Sequence, residues 1–404
     1  MQTRTLHVIG AGPWQVATIR RAKAMGHRVF VTDGLAARPG YALADAHEVV
    51  DITDADATLE AARRHRVDGV LCDTTDSGVY TAAYVAERLG LPGVGLDAAR
   101  RCTDKAAMVD CVRRAGLCVA RSRDVVDLDQ AVSAAHDMGY PVVVKPVDSQ
   151  GGRGVGIVDD AAGLPAAYAA AVANSRSGRV LVQEFVRGSE VIVDSLVVER
   201  RVHRLGLALK VPFDDNPTIS RRITYGACQL PAPPQAIDAV NGAVIEALGI
   251  TQGLVHAEYL VGANGIVPID VAARGGGVMI YPKVLPHVSG IDAMAAAIRL
   301  ALGKPFMPTL PARHRAANIE FLRASPGRLG AIDGVEAARQ LPGIAAVHLF
   351  HGVGDMVGPF RDKEDRLGFV VALAESADEA IAVSQRAASA IRAEPAPNEG
   401  VSCR

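Results

Sequence analysis

No pair of cysteines in the chain is spaced C-x-x-C. The six, Cys72, Cys102, Cys111, Cys118, Cys228 and Cys403, are scattered. That spacing suggests neither a zinc site nor a disulfide framework, and the thiols are expected to be reduced and mostly buried. An excess of one charge is also lacking. Lysine and arginine total 43 against 44 acidic residues, with no long run of either sign. The basic footprint that phosphate-backbone binding requires is missing, so nucleic acid is not an expected partner. Nor is there a run of about 18 unbroken apolar residues, the length a membrane-crossing helix needs. The start, MQTRTLHVIGAG, enters a strand pattern rather than an apolar signal segment with a cleavage site. The expectation is a soluble, cytoplasmic protein with no membrane partner. The eleven histidines are dispersed, and His256, in GLVHAEYL, reads as a packed strand residue with no assigned role.

What is present begins with length: 404 residues leave room for two or three domains, each burying its own core. LHVIGAG reads as a strand and turn, WQVATIRRAKAMGH as an amphipathic helix ending near Gly26, and RVFVTD and VDGVLCD as further strands. Strands alternating with helices at this spacing suggest βαβ units on a parallel sheet. The helix TDKAAMVDCVRRAG follows, capped by Thr103 or Asp104 and ended by Gly116. The texture then changes to closely spaced strand-like runs, PVVVKPV, GIV, RVLVQEFV, EVIVDSLVV and RVHRLGLAL, as in an antiparallel sheet with a few helices on one face.

Further on, VPFDDNPTIS reads as turn-rich, a helix begins near Pro234, and GLVHAEYLV and GIVPIDVAARGGG form a hairpin around the turn Gly262 to Gly265. After a helix near DAMAAAIRLALGK, PFMPTLPARHR reads as a linker. Short strands and helices over DGVEAARQL and SADEAIAVSQRAASAIR complete the chain, and the tail EPAPNEGVSCR is expected to fray. No internal repeat is visible.

Two glycine-rich turns invite a ligand. The first, GAGPWQ from Gly10 to Gln15, follows a strand, opens a helix and has Asp33 at the end of the next strand. It lacks the third glycine of the dinucleotide fingerprint, and Pro13 removes a backbone N–H where a pyrophosphate would need one. A tight strand-to-helix turn and a holder for a small anionic substrate are the other readings. In the second, VVVKPVDSQGGRGV, Lys145 ends an apolar strand and the glycines come after it. The lysine stem is then buried, and backbone N–H groups of the loop can fold around phosphate oxygens because glycine tolerates the dihedrals. A floppy surface hairpin would explain the glycines but not their coupling to Lys145 and Pro146.

Downstream, Glu184 and Glu190 flank a short apolar strand end, and two later strands carry Glu258 and Asp270 in otherwise apolar surroundings. An unpaired charge there is costly. Carboxylates on neighbouring strands suit one or two Mg²⁺ ions, which take few protein oxygens and complete their shells with phosphate and water.

The order of Lys105 in TDKAAM, Lys145 with its glycine loop, Gln183-Glu184-Phe185-Val186 with Glu190, then Glu258, Asp270 and Arg274 resembles the ATP-grasp superfamily over roughly residues 1 to 310. The resemblance implies an α/β architecture in four parts. Residues 1–100 would form a Rossmann-like N-terminal domain, 101–187 a small ATP-grasp lobe with the glycine loop, 188–310 a large lobe with the metal site, and 311–404 a C-terminal α+β lobe. It implies that Lys105 and Lys145 contact the ATP phosphates under a flap built from Ser149, Gly151, Gly152 and Gly154. Gln183 and the backbone at Glu184 and Val186 would meet the adenine, Glu190 the ribose, and Glu258 and Asp270 would hold Mg²⁺. Arg274 would steady the transferring phosphate or the acyl phosphate. The family usually ends its second metal strand as Glu-x-Asn-x-Arg; here the run is Asp270-Val271-Ala272-Ala273-Arg274, and Ala272 coordinates nothing.

Within that superfamily the chain resembles L-amino-acid ligases and related carboxylate-amine ligases. The implied chemistry is ATP-dependent formation of an acyl phosphate and its capture by an amine, which needs positioning and charge neutralisation rather than a nucleophilic side chain. Arg221, Arg222 and Arg274 are candidates to bind a substrate carboxylate, with Arg221 and Arg222 equally readable as surface charges. An enzyme of the same fold using bicarbonate or formate, an NAD-dependent oxidoreductase and a non-catalytic nucleotide binder stand as alternatives. The family also gives a homodimer as an expectation.

Overall fold

The computed structural model describes residues 3–227, 229–309, 315–361 and 363–396. They group into two compact units, one of Met1–Gln150, Gly154–Leu207 and Leu230–Ala312, the other of Gly151–Arg153, Ala208–Gln229 and Arg313–Arg404.

The first unit starts with β1 (Thr5–Ile9), α1 (Val16–Ala24), β2 (Arg28–Asp33), β3 (Ala46–Val49), α2 (Ala55–Arg64), β4 (Gly69–Leu71), α3 (Val79–Arg88) and α4 (Leu96–Thr103). The four strands form a sheet of order β3-β2-β1-β4, every pair parallel. Parallel strands covered on both faces read as continuous apolar runs, which is what VFV in β2 and LHVI in β1 show, both buried almost throughout. Next come α5 (Lys105–Arg114), β5 (Ser122–Val125), α6 (Leu128–Met138), β6 (Val142–Pro146), β7 (Gly156–Val158), α7 (Leu164–Ala173) and β8 (Val180–Glu184). Their strands form an antiparallel sheet of order β5-β8-β6-β7. Its core packs Val142, Val144, Val180 and Val182 against Leu164, Ala131 and Ala135 of the two helices.

β9 (Ser189–Val198) and β10 (Arg201–Phe213) follow, and the chain passes into the second unit within β10 before returning ahead of α8 (Pro234–Leu248). β11 (Asn216–Tyr225) lies between them. β12 (Gly253–Gly262) and β13 (Gly265–Ala272) form the expected hairpin, and β12 pairs antiparallel with β9 on its other side. A π-helical turn, Ile280–Val284, leads into α9 (Leu285–Ser289), then α10 (Ala293–Ala301). Val278 and Met279, just before that turn, have φ of 43° and 65°. Such conformations cost a β-branched residue about 1–3 kcal/mol and tend to cluster near functional sites. Nothing in the sequence between Gly277 and Ser289 had suggested this turn.

The second unit adds β14 (Ala316–Arg323), β15 (Gly327–Asp333), α11 (Val335–Arg339), β16 (Ile344–Leu349), β17 (Met356–Val357), β18 (Arg366–Ala374), α12 (Ala377–Ala390) and β19 (Arg392–Pro395). Neighbours run β10-β11-β14-β18-β16, all antiparallel, with α12 against β14 and β18.

Two expectations need correction here. VPFDDNPTIS is not an extended turn region, because β10 and β11 continue to within two residues of each other and only Asp214 and Asp215 turn the chain. Pro212, which has no N–H for the ladder, coincides with a register shift instead of ending the strand. The start of the tail does not fray: Arg392–Pro395 pairs with β15. Residues 397–404, residues 310–314 of the expected linker, Cys228 and Cys403 lie outside the described residues. Cys72 and Cys102 are free and buried, Cys111 is partly buried, and Cys118 is exposed. Among the described residues no single helix is long and apolar enough to cross a membrane.

Candidate functional site

The hairpin β12–β13 sets the two strand acids against each other. Glu258 and Asp270 are direct antiparallel partners, and a bulge just after Glu258 leaves Ile269 unpaired. Bulges bend a strand and re-aim its groups. The Ile269 carbonyl lies 3.5 Å from Lys145 Nζ. Lys145 itself is 6 % exposed, and that long contact is the one hydrogen bond its ammonium makes among the described residues. Burial pushes its pKa down to about 8 and the Lys105 charge adds to the fall, against the pull of Asp270 and Glu258.

Lys105 reaches the same place from the first turn of α5. Asp104 caps that helix by accepting from Ala107 N–H at 2.9 Å, which settles the choice between the two capping candidates. Lys105 Nζ donates to Ser149 O at 2.7 Å and stands 3.7 Å from Asp270 Oδ1. Arg274, two residues past β13, donates from Nε and Nη2 to the two oxygens of Asp76 at 2.8 and 2.9 Å, and from Nη1 to Gly275 O at 2.9 Å. Burial opposes the charge on both partners. The bidentate pair outweighs it, holding Asp76 below the usual carboxylate range and Arg274 above its own. Much of the Arg274 fork is therefore already committed to a protein carboxylate.

At the start of the glycine loop, Asp148 accepts from Ser175 Oγ at 2.9 Å and Ser177 N–H at 2.8 Å, while Gln150 Oε1 accepts from Asp76 N–H at 2.9 Å. Gly154 has φ +70° and packs so tightly that a Cβ would lie 2.8 Å from Asn174 Cβ and 3.0 Å from Ala170 O. The tip, Gly151 to Arg153, groups with the second unit, where a Cβ on Gly152 would meet Lys363 Cε at 3.1 Å.

At the end of β8, Gln183 is 4 % exposed and its Nε2 has no hydrogen-bond partner among the described residues. Glu184 is held by Arg121, whose Nε and backbone N–H donate to its two oxygens at 2.6 and 2.9 Å. Val186 follows in the half-buried connection to β9, and Glu190 on β9 sits across from Leu260. Lys105, Lys145, Ser149, Glu258 and Asp270 are thus brought together within the first unit. Arg221 and Arg222 are not part of that cluster. They lie on β11 in the second unit, where Arg222 is the cross-strand partner of Glu320 and Arg221 Nη1 is 3.8 Å from Asp214. Burial raises the Glu320 pKa, opposed by the Asn318 hydrogen bond and the two arginine charges.

The first glycine turn is closed by its own side chain. Gln15 Nε2 donates to Asp73 Oδ1 at 3.2 Å and Thr74 Oγ1 at 2.8 Å, and Thr18 Oγ1 donates to the other Asp73 oxygen. Its amide packs over the glycines, so that a Cβ on Gly10 would lie 3.2 Å from Gln15 Cδ. Asp33, which a dinucleotide would need for its ribose, accepts instead from Ala11 N–H, Leu35 N–H and Arg38 Nε at 3.0, 3.1 and 2.9 Å. These contacts use the carboxylate a dinucleotide ribose would require and the Ala11 N–H of the turn.

One residue that sequence reasoning left without a role belongs to the site. His256 lies on the same strand face as Glu258, with Nδ1 2.7 Å from Asp194 Oδ1 and Nε2 3.8 Å from Glu258 Oε1. Burial works against its charge, but the Asp194 carboxylate first and Glu258 after it raise its pKa to about 9. The signal available was the two-residue spacing to Glu258, which in a strand means a shared face.

The family models matched along the chain make it an ATP-dependent, ADP-forming carbon–nitrogen ligase. Three family models cover most of the chain: ATP-grasp N-terminal domain at residues 19–93, carbamoyl-phosphate synthase L chain ATP binding domain at 104–199, and L-amino acid ligase C-terminal domain 2 at 320–395. The chain belongs to the ATP-grasp superfamily. It is 26 % identical to a formate-dependent phosphoribosylglycinamide formyltransferase of Parasynechococcus marenigrum, over 96 % of this chain and 98 % of that protein. Its fold matches an L-amino acid ligase of Bacillus licheniformis with TM-score 0.83 at 21 % identity, over 98 % and 100 % of the two chains. It also matches a carboxyaminoimidazole ribonucleotide synthase of Aspergillus clavatus solved with ATP, with TM-score 0.77 at 17 % identity over 96 % and 98 %.

Proposed function

We propose that the protein activates a small carboxylate, an amino acid or a related acid, as an acyl phosphate and joins it to an amine, releasing ADP and phosphate. The observation that carries this is Lys145, a buried ammonium whose protein hydrogen bond is a single long one. A buried cation without an ion pair is expensive, and nucleotide phosphates would supply what it lacks. The orphaned Nε2 of Gln183 similarly suits a base edge, together with the backbone at Glu184 and Val186, and Glu190 suits a ribose. Ser149, Gly151, Gly152 and Gly154 would contribute loop backbone around the phosphates.

The donor set also fits Mg²⁺. Glu258 and Asp270 offer hard carboxylate oxygens side by side, and no group of three His, Cys, Asp or Glu among the described residues could hold a metal alone. That matches an ion which takes one or two protein carboxylates and completes its shell from phosphate and water. Bound there, Mg²⁺ would neutralise phosphate charge. The substrate carboxylate oxygen attacks the γ-phosphorus, the β–γ bridging P–O bond breaks and ADP leaves. The amine then attacks the acyl carbon, loses its proton, and the C–O bond to phosphate breaks. Lys105 and Lys145 would hold the phosphates through both steps, and the Arg274 N–H group left over from Asp76 would face the developing charge. Of the three arginines considered for a substrate carboxylate, Arg274 is the candidate within this cluster, and Arg221 and Arg222 lie outside it on β11.

The amino-acid reading draws on the L-amino acid ligase C-terminal match. A formate reading draws on relatives aligned over nearly the full chain. One experiment separates them: ADP and phosphate release from Mg-ATP with the twenty amino acids singly and in pairs, and with formate plus amines, Lys145→Ala serving as control. Release with particular amino-acid pairs and a matching amide by mass spectrometry supports the proposal; release with formate alone replaces it, and no ADP with any mixture refutes both.

A further inference from the structure

A cavity of about 70 Å³ lies beside Arg274, bounded by the end of β4, the first turn of α3 and the loop after it, the start of β12, the residues after β13 and one face of α10. Small residues make the space. Ala82, Gly93, Ala273, Ala297 and Ala301 line it, and a Cβ on Gly253 would meet nothing within 4 Å. Between them stand larger apolar groups, chiefly Val70, Val79 and Leu254. Among the described residues, Arg274 and Cys72 are the ionisable groups of the wall. Burial, with Asp73 adding to it, pushes the Cys72 thiol pKa up, and its Sγ donates to Thr75 O at 3.0 Å, so it presents a neutral, engaged group. The arginine is held at its fork by Asp76, and the N–H of the next residue, Gly275, donates to Asp73 O at 2.7 Å. Such a wall holds water poorly, because a buried water needs several polar partners. One water takes up about 10–15 Å³, so the volume admits a branched aliphatic group of about three or four carbons. Leu254 joins this cavity to the acids. It stands four residues before Glu258 on β12, and strand alternation puts Leu254, His256 and Glu258 on one face. At the usual rise the two ends of that row are about 13 Å apart.

We propose that this cavity receives the side chain of the acid that is activated, and that the acid is therefore an amino acid with a small aliphatic side chain. This rests on the amino-acid ligase reading above. Along β12 the order then runs from the phosphate and its cation at Glu258, to the carboxylate of the acid by Arg274, to its side chain at Leu254. A basic side chain would bring a second cation against Arg274 in an apolar setting, which is costly. A hydrophobic pocket separates substrates that differ by one methylene by about tenfold or more. Leu254, Val79 and Ala297 are then the residues that set the accepted size.

The test uses the full chain with Mg-ATP and the amine that the wild type accepts, and supplies glycine, alanine, valine, leucine and phenylalanine as acids. Mass spectrometry identifies the acid as the residue whose carboxyl forms the new amide, and ADP release gives kcat/KM. Wild type should favour valine and leucine over glycine by about tenfold or more, with phenylalanine below leucine. Ala297→Leu, which adds carbons inside the cavity, should lower the leucine-to-glycine ratio by about tenfold or more. Leu254→Ala, which removes carbons from the wall, should raise the phenylalanine-to-leucine ratio by a similar factor. These ratios do not depend on how much of each variant folds. Ala82→Val and Val79→Ala make the same two comparisons if the first pair gives no folded protein. Unchanged ratios in the narrowed and widened variants, or a change confined to the choice of amine, make the cavity a packing space and overturn the inference alone. So does a wild type that prefers glycine or a polar acid. ADP release with formate alone, or with no mixture at all, overturns the amino-acid reading and this one with it.

Discussion

The two glycine-rich turns look alike as strings and behave as opposites in the fold. In GAGPWQ the space over the glycines is filled from within by Gln15, whose amide ties α1 to the Asp73 and Thr74 end of β4. In SQGGRG no side chain of the loop turns back to fill it: Gly151 would tolerate a Cβ with nothing within 4 Å, and the lysine before it is buried with its ammonium hardly engaged. A turn that satisfies its own polar groups is architecture. One that leaves a buried charge hardly engaged is where we propose that the nucleotide phosphates bind.

The contrast can be broken most sharply at Lys145. Lys145→Ala should lower ATP turnover by about 10²–10³, the scale seen when one preorganised donor to developing charge is removed, while raising the thermal midpoint of the ligand-free protein because a buried ammonium is gone. Turnover within tenfold of wild type would put the loop on the architectural side.

A pH titration tests the same residue without mutation. The folded-state pKa of about 8 lies below the 10.5 of a lysine in the unfolded chain, so between those two pH values the unfolded chain binds more protons than the folded one. Ligand-free stability should therefore rise with pH through that window, by about 3 kcal/mol in all, with the penalty fully present below about pH 8. ATP affinity should fall over the same range. Denaturant unfolding at pH 7.5 and 10, with Lys145→Met as the reference that loses the slope, measures it.

At the closed turn, Gln15→Leu strands the buried Asp73 without an amide donor. The expected loss is about 1–3 kcal/mol of stability, read from denaturant unfolding, and NAD should gain no affinity. The smallest effect belongs to Gly151→Ala. Its left-handed φ of +69° costs about 1 kcal/mol with a Cβ and no contact adds to it, so nucleotide affinity should drop only several-fold. A drop of a hundredfold would mean that the loop tip is held far more tightly than its open surroundings indicate.

Most of this architecture was legible because it is written in periodicity. The β12–β13 hairpin, the α5 cap and the buried valine run before Lys145 all follow from local pattern and turn chemistry. What escaped was set by partners distant in sequence. The isolated string H-A-E gives His256 a shared face with Glu258, but its orientation comes from Asp194, 62 residues earlier. The pairing of Arg274 with Asp76, 198 residues away, likewise carries no local mark. The β10–β11 turn was overcalled because Asp, Asn and Pro signal breaks, and here a bulge absorbs the proline within a continuing strand.

The Asp76–Arg274 pair bears on how the chain is made. A ribosome delivers the carboxylate almost two hundred residues before the guanidinium, so this buried ion pair is always acceptor first. The arginine never has to be buried ahead of its counterion, and a nascent chain can cover it as soon as it emerges. The converse holds for any fragment begun after residue 76. It would carry Lys105, Lys145, Glu258 and Asp270 and still have to enclose an arginine without the carboxylate that pairs with it, so the N-terminal segment helps to build the proposed site even though it supplies neither lysine.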